Sequence, residues 1–139
     1  MHTIAILLSL VFTSISGLHV YWGLGGRWGA TAALPKKEDG TLVFRPGLVA
    51  CFVVALGLLV FAYVCLAYIR LVPSFISHVW TSYAVFGLGS VFALRALGDF
   101  RYVGIFKRVR RTDFAQLDTQ FYTPLCAIVA ICLFVLALG

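Results

Sequence analysis

Nine of the sixteen Asp, Glu, Lys and Arg residues of the chain lie between Arg95 and Asp118, inside "LRALGDFRYVGIFKRVRRTDFAQLDTQFYTPL". That stretch carries side chains able to grip an anion, Arg95, Arg101 and Lys107, beside side chains able to move a proton, Asp99, Asp118 and Tyr122. Arg95 and Asp99 are four residues apart, so they share a helix face. An ionised Arg one turn inside a membrane needs a partner or must snorkel toward water. Asp99 or Asp118 is therefore expected within salt-bridge reach of it. Asp118 and Tyr122, again four apart, open the last apolar run. There Asp118 reads as an N-terminal cap, and Pro124 falls in the first turn or two, where a missing amide costs least. Between these ends, Arg101, Lys107, Arg108, Arg110 and Arg111 interleave with Phe100, Tyr102, Ile105, Phe106 and Val109. That mixture suits a short amphipathic segment on an anionic membrane surface, or one wall of a site for a phosphate or carboxylate.

A second group lies in "HVYWGLGGRWG", residues 19–29. Tyr21, Trp22 and Trp28 fit the aromatic belt of a membrane interface. Gly23, Gly25, Gly26 and Gly29 add a turn whose backbone can come close to a ligand or to another segment. His19 has three readings: a ligand, an acid–base group, or an interfacial histidine bonded to a backbone carbonyl, which a polar tip at an interface readily finds. A haem held by two imidazoles needs them at matching depth on opposed helices. His19 lies near one face and His78 near the other, which leaves only His2 with His78, and His2 is nearly at the chain end. No cofactor and no metal is expected. The four cysteines lie inside apolar runs with no two-residue spacing between any pair, and they read as buried free thiols, with Cys51 and Cys126 at a depth that permits contact.

The elements that must position these groups follow from composition. The chain is 62% apolar and 12% charged over 139 residues, about half the charged fraction of an ordinary soluble domain. A protein this small cannot hide so much apolar surface in water. Lipid can cover it, provided there are runs of about 20 apolar residues to cross about 30 Å of hydrocarbon. Four such runs predict an all-α, integral-membrane antiparallel four-helix bundle, left-handed, with spans near 3–22, 47–70, 76–98 and 120–138. Residues 1–139 form one four-helix transmembrane domain. The first run also resembles a signal peptide, but only Met1 to Thr3 precede it, with no Lys or Arg, so it is expected to remain as a span.

Four spans put the first and third connections on one face, and the short second connection with both termini on the other. Ten of the eleven basic residues and all five acids then fall on the first face, with Arg70 alone on the second. The positive-inside rule assigns the first face to the cytoplasm; basic residues that serve a site would bias that count in the same way. Gly89 with Ala93 is a small-xxx-small pair for close helix approach, and Gly57 reads as a second packing device.

Taken together, "HVYWGLGGRWG", "LRALGDFRYVGIFK" and "FAQLDTQFYTPL" resemble a bacterial four-helix integral-membrane family known only as a domain of unknown function. The resemblance covers most of the chain, with the motifs in order. It implies a stand-alone multi-pass protein of a bacterial inner membrane and carries over no activity. The family pattern falls on His19, Tyr21, Trp22, Gly25, Gly26 and Trp28, then on Arg95, Gly98, Asp99, Phe100, Arg101, Gly104, Lys107, Asp118, Tyr122 and Pro124.

Two function classes stand side by side. One is an interfacial site, binding or catalytic, for an amphiphile or small anion, in which Arg95, Arg101 and Lys107 hold the anionic head and His19, Asp99 or Tyr122 handle protons. Tyr21 and Trp22 frame it, and Asp118 adjoins it. The other is a non-enzymatic assembly or structural protein whose charges fix topology and contact membrane lipid. A small transporter ranks below both, because all five acids lie in connections or at helix ends rather than deep in a span. Nucleic acid is not an expected partner: the net charge of +6 sits at a membrane face and no recognition module is visible.

Overall fold

In the computed structural model, which describes residues 1–139, the chain folds into four long helices. They are α1 (His2–Gly23), α2 (Leu48–Tyr68), α3 (His78–Leu97) and α4 (Asp113–Leu138). The fold is all-α. The extended backbone amounts to one isolated bridge, Lys36 with Leu42, in the first connection. Helices α1, α2 and α4 are long and apolar enough to cross a membrane, where a helix alone satisfies its own backbone. Helix α3 has comparable length, but Ser82, Gly87, Gly89, Ser90 and Arg95 dilute its apolar character. Helix α4 begins seven residues before the expected position 120, and a π turn, Asp118–Tyr122, interrupts it.

The helices pack as two antiparallel pairs, α1 with α2 and α3 with α4, with α2 against α3 as the lesser seam. Their shared core joins Leu8 and Phe12 of α1, Leu58 and Cys65 of α2, Val85 of α3, and Val129, Leu133 and Leu136 of α4. On α2 the buried positions Cys51, Ala55, Leu58, Ala62 and Cys65 recur at alternating steps of four and three. This is the stripe by which a straight helix faces one neighbour, and most of its residues are small. The small stripe lets α1 approach closely enough for hydroxyl bonds to the α2 backbone. Ser9 Oγ shares its hydrogen between Ala5 O at 2.9 Å in its own helix and Ala62 O at 3.0 Å, and Ser16 Oγ donates to Ala55 O at 2.8 Å. Serines seven apart on α1 thus meet carbonyls seven apart on α2 in reverse order, which fixes the antiparallel register.

Gly89 lies against the Phe134 ring, where a Cβ would stand 2.9 Å from it. Gly57 does not act as a packing device: nothing lies within 4 Å of the place a Cβ would take. Only 26 of the 139 residues are buried, and side chains such as Leu10, Val49, Leu56, Val91, Leu94 and Ile131 face outward along the helices. Uncovered apolar surface on that scale is the mark of a lipid-facing molecule.

Both connections with most of the charge meet at one end. Lys36 of the first pairs with Asp113 at the start of α4 at 3.4 Å, and the Tyr122 hydroxyl donates to Ala32 O at 3.4 Å. At the other end Gly139 lies against Met1, and the Tyr68 and His78 rings are 4.9 Å apart.

Candidate functional site

The third connection is a folded loop rather than the expected amphipathic segment. Helix α3 stops at Gly98, whose φ of 92° is open mainly to glycine. Asp99 then turns its carboxylate onto the loop itself: Oδ1 accepts from the amides of Arg101, Tyr102 and Val103 at 2.9, 2.7 and 2.9 Å. Gly104, with φ 88°, folds back against Gly98, and a Cβ on either would collide with the other's stretch of backbone. Partial burial pushes the Asp99 carboxyl upward, but the three amide donors outweigh it and hold its pKa below the ordinary value. The Arg95–Asp99 pair therefore does not form. The helix ends before Asp99, and three backbone donors already occupy its oxygen.

Arg95 pairs instead with Asp118, Nη2 to Oδ1 at 2.9 Å. The other oxygen of Asp118 accepts from Lys107 Nζ at 3.0 Å, Gly104 N at 2.9 Å and Thr123 Oγ1 at 3.0 Å. Asp118 is 0% exposed and Lys107 3%. Burying a carboxylate is tolerable only when it is paired and fully hydrogen-bonded, and four donors on two oxygens meet that condition. Arg95 Nη1 is buried with no partner.

Local sequence explains how Asp118 comes to lie there, and it corrects the reading of Asp118 as a cap. Thr112 is the cap: its Oγ1 accepts from Ala115 N at 3.1 Å, with Asp113 in the first turn. Asp118 lies inside α4. Pro124 has no amide to bond the Gln120 carbonyl, and the preceding turn widens so that Thr123 N reaches Asp118 O. The i to i+5 spacing of a π turn also brings the Thr123 hydroxyl onto the face of Asp118.

The motif at residues 19–29 closes on itself. Trp22 Nε1 donates to Trp28 O at 2.8 Å, and the Tyr21 hydroxyl accepts from Trp28 N at 3.4 Å. The Tyr21 ring fills the space where Gly26 would carry a side chain. His19 Nδ1 lies 2.9 Å from Ile15 O. A carbonyl can only accept, so Nδ1 carries a proton, and Nε2 makes no hydrogen bond within the protein.

His19 and Trp22 of α1, Cys51 and Val54 of α2, and Leu34, Leu42, Phe44 and Arg45 of the first connection line a cleft of about 560 Å³. None of Arg95, Lys107 and Asp118 lines it. Of the expected residues, then, the fold unites Arg95, Lys107 and Asp118 and separates them from His19, Tyr21 and Trp22. Arg101 is exposed, its guanidinium 5.2 Å from the Tyr102 ring. Tyr122 anchors the first connection and lies against Phe114.

Sequence reasoning missed Thr123 and Arg45. The pairing of Thr123 needs the π turn, which Pro124 could have signalled; Arg45 lies in a connection with no periodicity to expose it. No three His, Cys, Asp or Glu side chains converge where they could share an ion, and all four cysteines are free thiols.

Residues 12–133 match the model of a family described as "Protein of unknown function (DUF3995)". No curated protein and no solved structure matches the chain.

Proposed function

The chain belongs to this family, and from its geometry we propose a multi-pass membrane protein that holds an anionic amphiphile at one membrane interface, in the cleft between the end of α1, the first connection and the start of α2. The observation that carries this reading is the cleft itself. Its volume of about 560 Å³ falls within the range of small-molecule sites, which are typically apolar with a few polar groups to orient the ligand. Here the walls are mostly apolar, and the polar side chains are His19, Thr31 and Arg45. Arg45 is exposed at the rim, makes no ion pair, and is free to meet a carboxylate or phosphate head. The apolar tail lies against Trp22, Phe44 and Val54.

The head is thus assigned to Arg45 and not to Arg95, Arg101 and Lys107. Internal pairing around Asp118 supports a structural role for Arg95 and Lys107, the part of the assembly-protein reading that the geometry favours. By the positive-inside rule, the end with ten of the eleven basic residues is proposed to face the cytoplasm.

Mass spectrometry of small molecules retained by the protein purified in neutral detergent tests the site. An amphiphile present in the wild type and lost from Arg45→Glu and from His19→Ala, with both variants folded, is the expected result. Identical retention by all three, or lipid in the same proportions as the surrounding membrane, sinks the reading.

A further inference from the structure

We propose a second, separate site that binds a phosphate group carrying a proton, in the cleft of about 260 Å³ between the third connection and the π turn of α4, lined by Lys107, Arg110, Thr119 and Thr123. The charges beside it do not balance. Arg95 and Lys107 surround a single carboxylate, Asp118, so the centre holds one positive charge in excess. Arg95 is 34% exposed and Lys107 3%, so the burial cost of the excess falls on Lys107, and an anion in the adjoining cleft removes it.

The donors left over point to the same ligand. The Lys107 ammonium has three hydrogens; Asp118 Oδ2 and Gly104 O take two of them, and the third has no acceptor in the protein. Arg110 donates Nε to Lys107 O at 3.2 Å, which steadies the guanidinium beside the cleft and leaves both of its terminal nitrogens unpaired. A buried ammonium and a free guanidinium make a charge-assisted clamp for an oxyanion.

The two hydroxyls refine the class. Thr119 Oγ1 donates to Ala115 O at 3.0 Å, and Thr123 Oγ1 donates to Asp118. Both hydrogens are thereby committed, and the oxygens offer only lone pairs. Lone pairs repel a fully ionised oxyanion but accept from an O–H. A phosphomonoester monoanion or inorganic phosphate carries both the charge and that O–H, whereas sulfate carries no proton at neutral pH. A phosphate head on a membrane lipid and a free phosphate share this chemistry.

The test uses the full chain in nonionic detergent and follows its thermal midpoint and binding heat with inorganic phosphate, sulfate, and a phosphomonoester lipid, phosphatidic acid, in neutral mixed micelles. Lys107→Met removes one of the four donors to the buried Asp118 carboxylate and so changes the fold of the loop as well as the cleft, which makes Arg110→Gln and Thr119→Val the informative variants. The expected result is binding of phosphate or of phosphatidic acid with little response to sulfate. Arg110→Gln weakens it about tenfold or more, and Thr119→Val narrows the preference over sulfate. Binding of inorganic phosphate assigns the site to a free ligand; response to phosphatidic acid alone assigns it to a headgroup. Equal response to phosphate and sulfate, no response to any of the three, or an Arg110→Gln variant that binds as the wild type overturns the proposal. Arg45 and His19 line the other cleft, so their variants leave inorganic-phosphate binding unchanged, and only the part of a phosphatidic acid response that Arg110→Gln weakens counts for this site, so the two sites fail or stand separately.

Discussion

The Asp118 carboxylate meets the Arg95 guanidinium at 2.9 Å across 23 residues of chain, and this contact ties the end of α3 to the first turns of α4. Lys107 locks the intervening loop to the same carboxylate. Asp118→Ala leaves two cations without a counter-charge, one of them 3% exposed. Removing one partner of a buried ion pair costs about 3–5 kcal/mol, so the variant is expected to melt far below the wild type in detergent. A further change of Lys107 to Met and Arg95 to Leu should recover part of the loss. Thermal unfolding of the single and triple variants checks this, and a silent Asp118→Ala would mean that the centre stabilises nothing.

Gly98 and Gly57 should respond in opposite directions to alanine. At Gly98 φ is 92° and a Cβ would collide with the Val103 carbonyl, so Gly98→Ala is expected to cost more than about 1 kcal/mol. At Gly57, inside α2, the place of the Cβ is open. Gly57→Ala there removes a helix penalty of roughly 0.5–1 kcal/mol and should raise the melting temperature slightly. Loss of stability in both would show that space and dihedral angle do not govern these positions.

The four long helices were legible because an apolar run of about 20 residues has only one cheap conformation in lipid; three of them are long and apolar enough to cross a membrane. The start of α4 was not legible by the same rule. Hydropathy places the boundary near Phe121, where apolar residues begin, whereas the polar turns from Asp113 are stabilised by the Thr112 cap and by burial of Asp118. The signal was present as Thr112-Asp113, a cap followed by an acid in the first turn. The expected Arg95–Asp99 contact assumed an unbroken helix, and Gly98 breaks it. Two glycines six apart around "DFRYV" were the clue to a closed loop. Arg45 could not be singled out, since only the tertiary fold of the first connection brings it to the same cleft as Trp22.

Acid should open the third connection before it unfolds the helices. The folded-state pKa of Asp99 lies below its ordinary value of 3.8, so the carboxylate contributes stability that is fully present above that value. The contribution is lost as pH falls below 3.8 and through the folded-state pKa. Hydrogen exchange at the Arg101, Tyr102 and Val103 amides should therefore quicken, after correction for intrinsic rates, only below that point. In Asp99→Ala it should be fast at every pH. Protection that persists unchanged in Asp99→Ala would remove the carboxylate from the account of the loop.

Pro124 and the π turn allow a sharper test, because two local preferences compete there. Pro124→Ala restores an amide able to bond the Gln120 carbonyl, and a regular helix would gain that bond, worth about 0.5–1.5 kcal/mol. Regularising the turn removes one residue from it, which rotates the segment before it by about 100° relative to the rest of α4. Asp118 would then leave Arg95, Lys107, Gly104 N and Thr123. Hydrogen bonds to a charged group contribute about 1.5–3 kcal/mol each, so the carboxylate outweighs the regained bond and the π turn should persist. Pro124→Ala is accordingly expected to change stability by no more than about 1 kcal/mol. Once Asp118 is replaced, nothing opposes the regular helix, and Asp118→Ala with Pro124→Ala should be more stable than Asp118→Ala alone by about 1 kcal/mol or more. Melting curves of the two single variants and the double variant supply the cycle. If Pro124→Ala alone destabilises as much as Asp118→Ala, the proline rather than the buried carboxylate holds the turn open.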